Sequence, residues 1–290
     1  MNMHRIAALL GAAALTLALL SGCSQTGGQP SSGVAPESDP AQTDAPQMTD
    51  AGADLLAQIQ SKGEIVVALE GTWAPWGYHD ESGELVGYDV EIARAIAGRL
   101  GVEVRFEESE WAGCLAGLES GRYDIMANGM DVDEERKEKY DFSTPYAYNR
   151  TAVITRADDD SIQSMEDLKG KTTANTLNST YANVAAGYGA TVTPVDDFIQ
   201  TIELLTSQRI DATLNAEVSF HDYMAQHPDA PIKIACMDPD VTQVAIPMRK
   251  GEQSAALREA IDQALAELAQ EGVLTELSNK YFGMDLSQAQ

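Results

Sequence analysis

One short motif occurs twice in this chain and constrains its fold more than any other feature. The pattern L-x-S-x-R-x-D, followed four residues later by Asn, fills residues 118–128 and again residues 205–215. In each copy an apolar helical stretch ends at a Ser-x-Arg turn and leads into a short strand that stops at the Asn. Ligands of open α/β sheets bind beyond the carboxyl ends of strands, so the repeat predicts two similar lobes whose Asn residues face one cleft. Chance similarity of two helix-turn-strand units is the alternative.

Strand and helix patterns alternate along the chain outside the repeat. The long helix pattern of residues 86–100 is followed by Gly101, which predicts a C-terminal cap, and residues 71–76 read as a loop because of their Gly and Pro. The remaining predicted strands are 64–69, 102–106, 124–127, 152–155, 172–175, 191–195, 211–214 and 232–235. The remaining predicted helices are 112–120, 181–188, 198–207 and 253–270. This order predicts a parallel α/β architecture.

The first residues of the chain indicate where it works. Arg5 precedes an apolar run over residues 6–20, which is shorter than the roughly 20 residues that span a bilayer, and is therefore typical of a signal peptide. Leu-Ser-Gly-Cys, ending at Cys23, resembles the bacterial lipobox. It implies a lipoprotein signal peptide over residues 1–22, cleavage before Cys23 and lipid on its sulfur; an uncleaved anchor is the alternative. Residues 23–52 are predicted to be the lipidated Cys and a disordered tether, rich in Ser, Gly, Gln, Pro and Asp.

Charge and cysteine content exclude several classes of function. The formal net charge of −26 argues against nucleic acid and anionic headgroups as charge-matched partners, because phosphate neutralisation needs clusters of Lys and Arg. Cys114 and Cys236 fall in different predicted lobes, so we expect two separate thiols. No CxxC motif or Cys/His cluster indicates a metal, and we expect no cofactor.

Four segments, taken in order, resemble a known family. They are GELVGYDVEIARAIA at 83–97, NGMDVDEER at 128–136, YDFSTPY at 140–146 and YFG at 281–283. They are similar to the landmarks of family 3 extracytoplasmic solute-binding proteins, the amino-acid receptors of ABC importers, and the similarity runs from residue 63 to 286. The resemblance implies a type II periplasmic binding protein fold, with two α/β lobes, two crossover strands and a ligand cleft between the lobes. Lobe 1 would comprise residues 53–149 plus 245–290, and lobe 2 residues 150–244.

The resemblance implies where the carboxylate of an amino acid would bind. Arg136 occupies the position of the carboxylate-binding Arg, whose planar fork matches a carboxylate in two parallel bonds. On the other lobe Asn178, Ser179 and Thr180 precede a helix, where free N–H donors and hydroxyls can complete the carboxylate's shell. A surface position for Arg136 and simple helix capping by the other three are the alternatives.

The ammonium group of the ligand needs an acid, and here the chain departs from the family pattern. The family's ammonium-binding Asp is replaced by Ala216. Asp131, which stands where the family has Ser or Thr, is our candidate replacement on the opposite lobe, and Glu217 is the second candidate. A solvated loop position or a helix cap is the alternative role of Asp131.

Aromatic and small polar residues are expected to line the rest of the cleft. Trp73 lies where the family has a ring over the ligand, and Trp111 opens the helix after the second strand; a core position is the alternative for both. Trp76 is expected in the core. The rest of the predicted lining is Asn128, Gly129 and Asn215.

The sequence therefore predicts an extracytoplasmic receptor anchored to the membrane through lipid on Cys23. We expect a monomer, not an enzyme, that captures a polar or cystine-like free amino acid and delivers it to the permease and ATPase subunits of an ABC importer. A ligand-sensing module for a signalling partner and a cyclohexadienyl-dehydratase-like enzyme are the alternatives. The sequence leaves the identity of the amino acid open.

Overall fold

A computed structural model describes residues 54–289 of the chain. The predicted signal peptide, Cys23 and the whole of the predicted tether lie outside the described residues. The strands are β1 (Glu64–Leu69), β2 (Thr72–Trp73), β3 (Gly77–His79), β4 (Leu85–Val86), β5 (Glu103–Glu108), β6 (Ile125–Met126), β7 (Tyr140–Phe142), β8 (Ala147–Arg156), β9 (Thr172–Thr176), β10 (Thr191–Val195), β11 (Ala212–Ala216), β12 (Ile232–Val244) and β13 (Pro247–Arg249). The α-helices are α1 (Leu55–Lys62), α2 (Tyr88–Leu100), α3 (Trp111–Glu119), α4 (Glu134–Lys139), α5 (Thr180–Gly187), α6 (Phe198–Thr206), α7 (Glu217–Gln226), α8 (Ala255–Gln270) and α9 (Val273–Phe282). Within residues 54–289 no helix is long and apolar enough to cross a bilayer.

The strands form two five-stranded sheets, each with helices packed on it. The first sheet has the order β5-β1-β6-β13-β7; α1, α2, α3 and α4 pack on it, and α8 and α9 pack on α2, and we call this unit the first lobe. The second sheet has the order β10-β9-β11-β8-β12 and carries α5, α6 and α7; we call it the second lobe. The expected two-lobed α/β fold is therefore present. The sheets are mixed rather than parallel, because β13 runs antiparallel to its neighbours in the first sheet and β8 runs antiparallel to its neighbours in the second.

Two long strands connect the lobes. β8 and β12 pair antiparallel along their length, from Ala147 opposite Val244 at one end to Arg156 opposite Ile232 at the other. We call this pair the crossover ribbon. Both strands are longer than the sequence pattern predicts, because their ends near the first lobe carry polar residues such as Asn149 and Thr242 that break the apolar run.

The repeated motif performs the same structural task in each lobe. Asp124 accepts a hydrogen bond from the backbone N–H of Val66, at 2.9 Å, and its own N–H donates to the carbonyl oxygen of Val66. In the second lobe Asp211 exchanges the equivalent pair of bonds with Thr172. Each Asp therefore pairs with the neighbouring parallel strand just before its own strand begins.

Several local predictions are confirmed. Gly101 is the left-handed C-cap of α2, with φ 73°, and Trp76 is fully buried in the core. Cys114 and Cys236 are separate free thiols. The predicted loop at 71–76 contains the short strand β2, which pairs with β3 and β4 in a small third sheet.

Candidate ligand-binding site

Residues from both lobes line one cavity. Nine of the ten predicted ligand-binding residues are in its lining: Trp73, Trp111, Asn128, Gly129, Asp131, Arg136, Ser179, Thr180 and Asn215. The two Asn residues that end the repeated motif thus meet at one cavity. Six further lining residues were not predicted: Glu70, Thr72, Thr176, Tyr181, Asp197 and Phe198.

Asn178 is the one predicted residue that the structure does not place in the lining. Its backbone has a left-handed conformation, with φ 62°, which turns the chain into α5. Ser179 then caps the helix by accepting from the N–H of Ala182. Asn178 contributes its carbonyl oxygen instead, which accepts from Nη2 of Arg136 at 3.2 Å.

Arg136 is a buried cation that contacts both lobes. Asp133 caps α4 by accepting from the Arg136 N–H, which places the guanidinium on the cavity side, 5.3 Å from the centre of the Trp111 ring. Its Nη1 donates to the carbonyl oxygen of Asp131 at 2.8 Å and to Oγ1 of Thr180, in the second lobe, at 2.9 Å. Arg136 is the only basic residue in the described lining of the cavity.

Asp131 is a second buried charge in the lining, with only 3 % of its surface exposed. Its Oδ1 accepts a hydrogen bond of 2.6 Å from the hydroxyl of Thr242 on the crossover ribbon. Burial raises the pKa of Asp131 above its usual value, and Thr242 and the positive charge of Arg136 oppose that rise. The other acid considered for the ammonium, Glu217, lies outside this cavity at the start of α7, 3.9 Å from Arg150. Ala216 is fully buried.

A buried carboxylate outside the cavity lining accepts a hydrogen bond from the backbone of the Asn128–Gly129 turn. Asp89, at the start of α2, accepts from the Gly129 N–H at 2.5 Å and from the Tyr146 hydroxyl at 2.6 Å. Burial raises the pKa of Asp89 to about 7 although both groups donate to it. Asp89 does not line the cavity, so it supports the turn rather than facing a ligand.

Trp73 forms the aromatic wall between the lobes. Its ring stacks on Trp76 with centroids 5.5 Å apart and meets the edge of Tyr181, in the second lobe, at 6.3 Å. Its Nε1–H donates to Oδ1 of Asn215 at 3.2 Å. Trp111 is nearly buried yet lines the cavity, and its Nε1–H has no hydrogen-bond partner among the described residues.

Two unpredicted acids, one from each lobe, complete the charged lining. Glu70 follows β1 and exchanges two hydrogen bonds with Asn128: its N–H donates to Oδ1 at 2.9 Å, and its Oε2 accepts from Nδ2 at 2.7 Å. Asp197 caps α6 in the second lobe. Burial, together with the negative charges of Asp197 and Glu110, raises the pKa of Glu70 to about 7. Both acids follow the carboxyl end of a parallel strand, which is the signal that could have identified them.

The described residues offer no site for a metal ion. Among residues 54–289 no group of three or more His, Cys, Asp or Glu side chains is arranged to hold one. The lining instead combines one guanidinium, three carboxylates, aromatic rings and small hydroxyl donors. Such a set can bind both charged ends of a zwitterion.

Comparison with known proteins gives a consistent result. Residues 65–284 match the family described as bacterial extracellular solute-binding proteins, family 3. The chain is 38 % identical over 235 residues to a probable amino-acid ABC transporter-binding protein of Haemophilus influenzae, covering 81 % of this chain and 91 % of that protein. It is 37 % identical over 236 residues to the L-cystine-binding protein TcyA of Bacillus subtilis, covering 81 % and 87 %.

A solved structure extends this similarity to three dimensions. An ancestral arginine-binding protein bound to arginine superposes with a TM-score of 0.71 at 37 % identity, over 76 % of this chain and 99 % of that one. The sequence landmarks, the two-lobed fold and the match over most of the described residues agree. The chain belongs to family 3 of the bacterial extracellular solute-binding proteins.

Proposed function

We propose that this protein captures a free amino acid outside the cytoplasm and delivers it to the permease and ATPase subunits of an ABC importer. The observation that carries the proposal is the charged lining of the cavity: one Arg and three carboxylates, contributed by both lobes. The relatives support the proposal, because they are named as an amino-acid ABC transporter-binding protein and an L-cystine-binding protein. The ligand would join the lobes and stabilise their closed arrangement, as in hinge closure around a ligand.

Arg136 is the proposed partner of the ligand's carboxylate. Its guanidinium is buried and lies 2.9 Å from Thr180 Oγ1, so a carboxylate at this place meets the cation and the start of α5 together. Ser179 and Thr180 would contribute from the second lobe. Arg136→Ala should therefore remove measurable binding, whereas Arg150→Ala, which changes an Arg outside the cavity, should retain it.

Asp131 is the proposed partner of the ligand's ammonium. It lines the cavity within the electrostatic reach of Arg136, whereas Glu217 does not line it. This assignment puts the acid on the first lobe and leaves Ala216 as an uncharged part of the opposite wall. An ammonium bound there would favour the ionised carboxylate and so offset the cost of burying it.

Glu70 and Asp197 favour a ligand with a second positive group. Once Arg136 has bound the carboxylate and Asp131 the ammonium, these two acids are the remaining charged side chains of the lining. A neutral side chain between them would leave the charge of Asp197 and of the ionised form of Glu70 uncompensated, which is costly in a partly buried site. The side chain of a basic amino acid and the distal ammonium of L-cystine both supply such a cation.

Calorimetry with matched ligands tests the proposal. L-Arginine and L-citrulline have nearly the same shape but differ by one positive charge, so we expect arginine to bind at least about tenfold more tightly. L-Lysine and L-cystine distinguish the two sources of the second cation, and L-glutamine is a neutral reference. Equal affinities for arginine and citrulline would contradict a role for Glu70 and Asp197. If none of the twenty amino acids or cystine binds, the receptor function is wrong.

We also propose that the chain acts as a monomer, without turning over its ligand, on a lipid anchor at Cys23. Replacing Cys23 by Ala should release the protein from the membrane fraction, as immunoblotting of fractionated cells would detect. Conversion of prephenate or arogenate by the purified protein would contradict a purely binding role. Loss of uptake of the bound amino acid in a deletion strain would support transport rather than sensing.

A further inference from the structure

One rung of the crossover ribbon contacts two side chains that line the cavity. Asn149 on β8 and Thr242 on β12 stand directly opposite each other, and opposite residues of an antiparallel pair project from the same face. Nδ2 of Asn149 donates to the hydroxyl of Tyr181 at 3.1 Å, and Oγ1 of Thr242 donates to Asp131 at 2.6 Å. Both strands that join the lobes therefore reach cavity-lining side chains at the same rung.

The Thr242 hydroxyl is committed to the carboxylate of Asp131. A hydroxyl has one proton, and the alternative acceptor, the carbonyl oxygen of Asn149, lies farther away at 3.3 Å. A short bond to an ionised acceptor is also stronger than one to a neutral carbonyl. The proton therefore points at Oδ1 of Asp131 and restrains the position of that oxygen.

The backbone around Asp131 is bound to the same strand as Thr242. Asp131 forms a β-bridge with Val244, and the N–H of Val132 donates to the carbonyl oxygen of Gln243 at 2.8 Å. Carboxylate and hydroxyl thus sit on directly paired chain segments. The position of the Asp131 side chain depends on the ribbon as well as on the first lobe.

The side-chain amide of Asn149 forms a hydrogen bond through its nitrogen, whereas its oxygen has no partner among the described residues. The side chain is 1 % exposed, and this is a defect that buried polar groups seldom show. Its amide N–H group serves Tyr181 and lies close enough to Asp131 to favour the ionised form. The orientation of the amide therefore places a donor beside the carboxylate.

We propose that Thr242, with Asn149 beside it, is a positioning residue that aims the Asp131 carboxylate at the α-ammonium of the ligand. The subsite for the ammonium is then built on the hinge itself, so a ligand with an ammonium is sensed where the lobes bend. This inference rests on the proposed function, which makes Asp131 the acceptor of the ammonium.

Thr242→Val removes the hydroxyl at nearly constant shape, and Thr242→Ser keeps it. Affinity is measured by calorimetry for L-arginine and for 5-guanidinopentanoate, which is arginine without its α-ammonium. If another of the twenty amino acids or L-cystine binds more tightly than arginine, that ligand and its own desamino analogue are used instead. We expect Thr242→Val to weaken amino-acid binding about ten- to hundredfold, the effect of a hydrogen bond to a charged group, and Thr242→Ser to restore it. Binding of the desamino analogue should change little.

Two further comparisons separate positioning from general damage. Thr155→Val, at a buried β8 position whose hydroxyl has no partner among the described residues, should leave affinity unchanged. In an Asp131→Asn background Thr242→Val should have little further effect, because the two residues act as one unit. Equal affinity of Thr242→Val and the unsubstituted protein, or an equal loss for the desamino analogue, would overturn the inference while leaving the proposed function intact. Failure of the unsubstituted protein to bind any amino acid would overturn both.

Discussion

Gly129 contributes to the cavity without a side chain. Its φ of 55° lies in the left-handed region that favours glycine, and a Cβ added there would come within 2.6 Å of the Trp73 ring and 3.2 Å of Trp76. The Asp89 carboxylate holds the Gly129 N–H at 2.5 Å. At the scale of one residue, backbone conformation and close packing therefore both require glycine at position 129.

Gly129→Ala should lower both stability and ligand affinity. The left-handed conformation costs about 1–2 kcal/mol with a Cβ, and the added methyl must also displace Trp73. Gly83→Ala is the matched control, since Gly83 has φ 81° and nothing within 4 Å of an added Cβ. Chemical denaturation should show a loss for both variants, and calorimetry a loss of affinity for Gly129→Ala alone. Unchanged affinity in Gly129→Ala would show that the position of Trp73 does not matter for binding.

Affinity for L-arginine should fall as the pH is lowered from 8 to 6. The pKa of Glu70 is about 7 without a nearby cation, so a growing fraction of the protein carries a protonated Glu70 that must ionise before it can pair with the guanidinium. Well below the pKa of Glu70, the affinity should fall about tenfold for each pH unit. Asp197, Glu110 and Asn128 are the charged or hydrogen-bonding side chains that act on Glu70.

The variant Glu70→Gln isolates this effect from the other buried acids, Asp89 and Asp131. It should bind arginine more weakly at pH 8 and show a flatter pH profile. Calorimetry at several pH values in buffers of different ionisation enthalpy would also detect the proton released on binding. An equally steep profile in Glu70→Gln would assign the pH dependence to another group.

The residues of the site that belong to family-like motifs were predictable from sequence more readily than its distal acids. Arg136 and Trp73 lie in or near recognisable motifs, whereas Glu70 and Asp197 look like the many acids of a chain with a net charge of −26. Only tertiary packing buries Glu70 against Asn128 and brings it to the same cavity as Asp197.

The two copies of the repeated motif are equivalent as structural elements. In each, a helix ends at a Ser whose hydroxyl donates to the carbonyl oxygen three residues earlier, at 3.2 Å in both copies. Asp124 and Asp211 then attach the next strand to its parallel neighbour. The motif therefore ends a helix, begins the following strand and pairs that strand with its parallel neighbour.

Asp124→Ala should destabilise the protein more than Asp211→Ala. Asp124 is buried, so its removal leaves the N–H of Val66 without a partner, at a cost of about 1–3 kcal/mol, whereas water can replace the more exposed Asp211. Asp229→Ala, at an exposed position, should change the free energy of unfolding by less than about 0.5 kcal/mol. Urea denaturation of the three variants would measure the order, and equal losses for Asp124 and Asp211 would contradict it.

Most elements with an apolar run or an apolar face were predictable from sequence, and several short or polar ones were not. β1 and β10 have the predicted bounds, and α2 begins two residues late because residues 85–86 form β4. The helices α1, α4, α7 and α9 were not predicted; of these, α4 and α7, with the sequences EERKEK and EVSFHDYMAQ, bury few apolar residues. The helix α4 is capped by the Asp133 side chain, whereas α7 has no side-chain cap and packs against β8 and β11.

At the scale of the whole molecule, charge opposes compactness. The net charge of −26 is spread over a chain with 45 acidic and 19 basic residues, and like charges repel more strongly in the folded state than in the expanded one. Exposed pairs such as Arg99 with Glu267 and Glu271 offset little of this repulsion.

Salt should therefore stabilise the protein. Raising NaCl from 0.05 to 1 M shortens the Debye length to about 3 Å, and we expect the melting temperature to rise by at least about 2 °C at pH 8. The shift should be smaller at pH 4.5, where many carboxylates are protonated. Differential scanning calorimetry would detect it, and a melting temperature that falls with salt would mean that surface ion pairs outweigh the general repulsion.

The pairing of Ala147 with Val244 at the end of the crossover ribbon has a consequence for how such a chain can be rebuilt. The polypeptide leaves the first sheet and returns to it at adjacent points, so the whole intervening segment is an insertion with neighbouring ends. A short linker between those ends would preserve the connectivity of the first sheet, and a segment from a relative could be spliced in its place. We therefore expect that exchanging this segment between relatives would replace one half of the cleft in a single recombination step and change ligand preference.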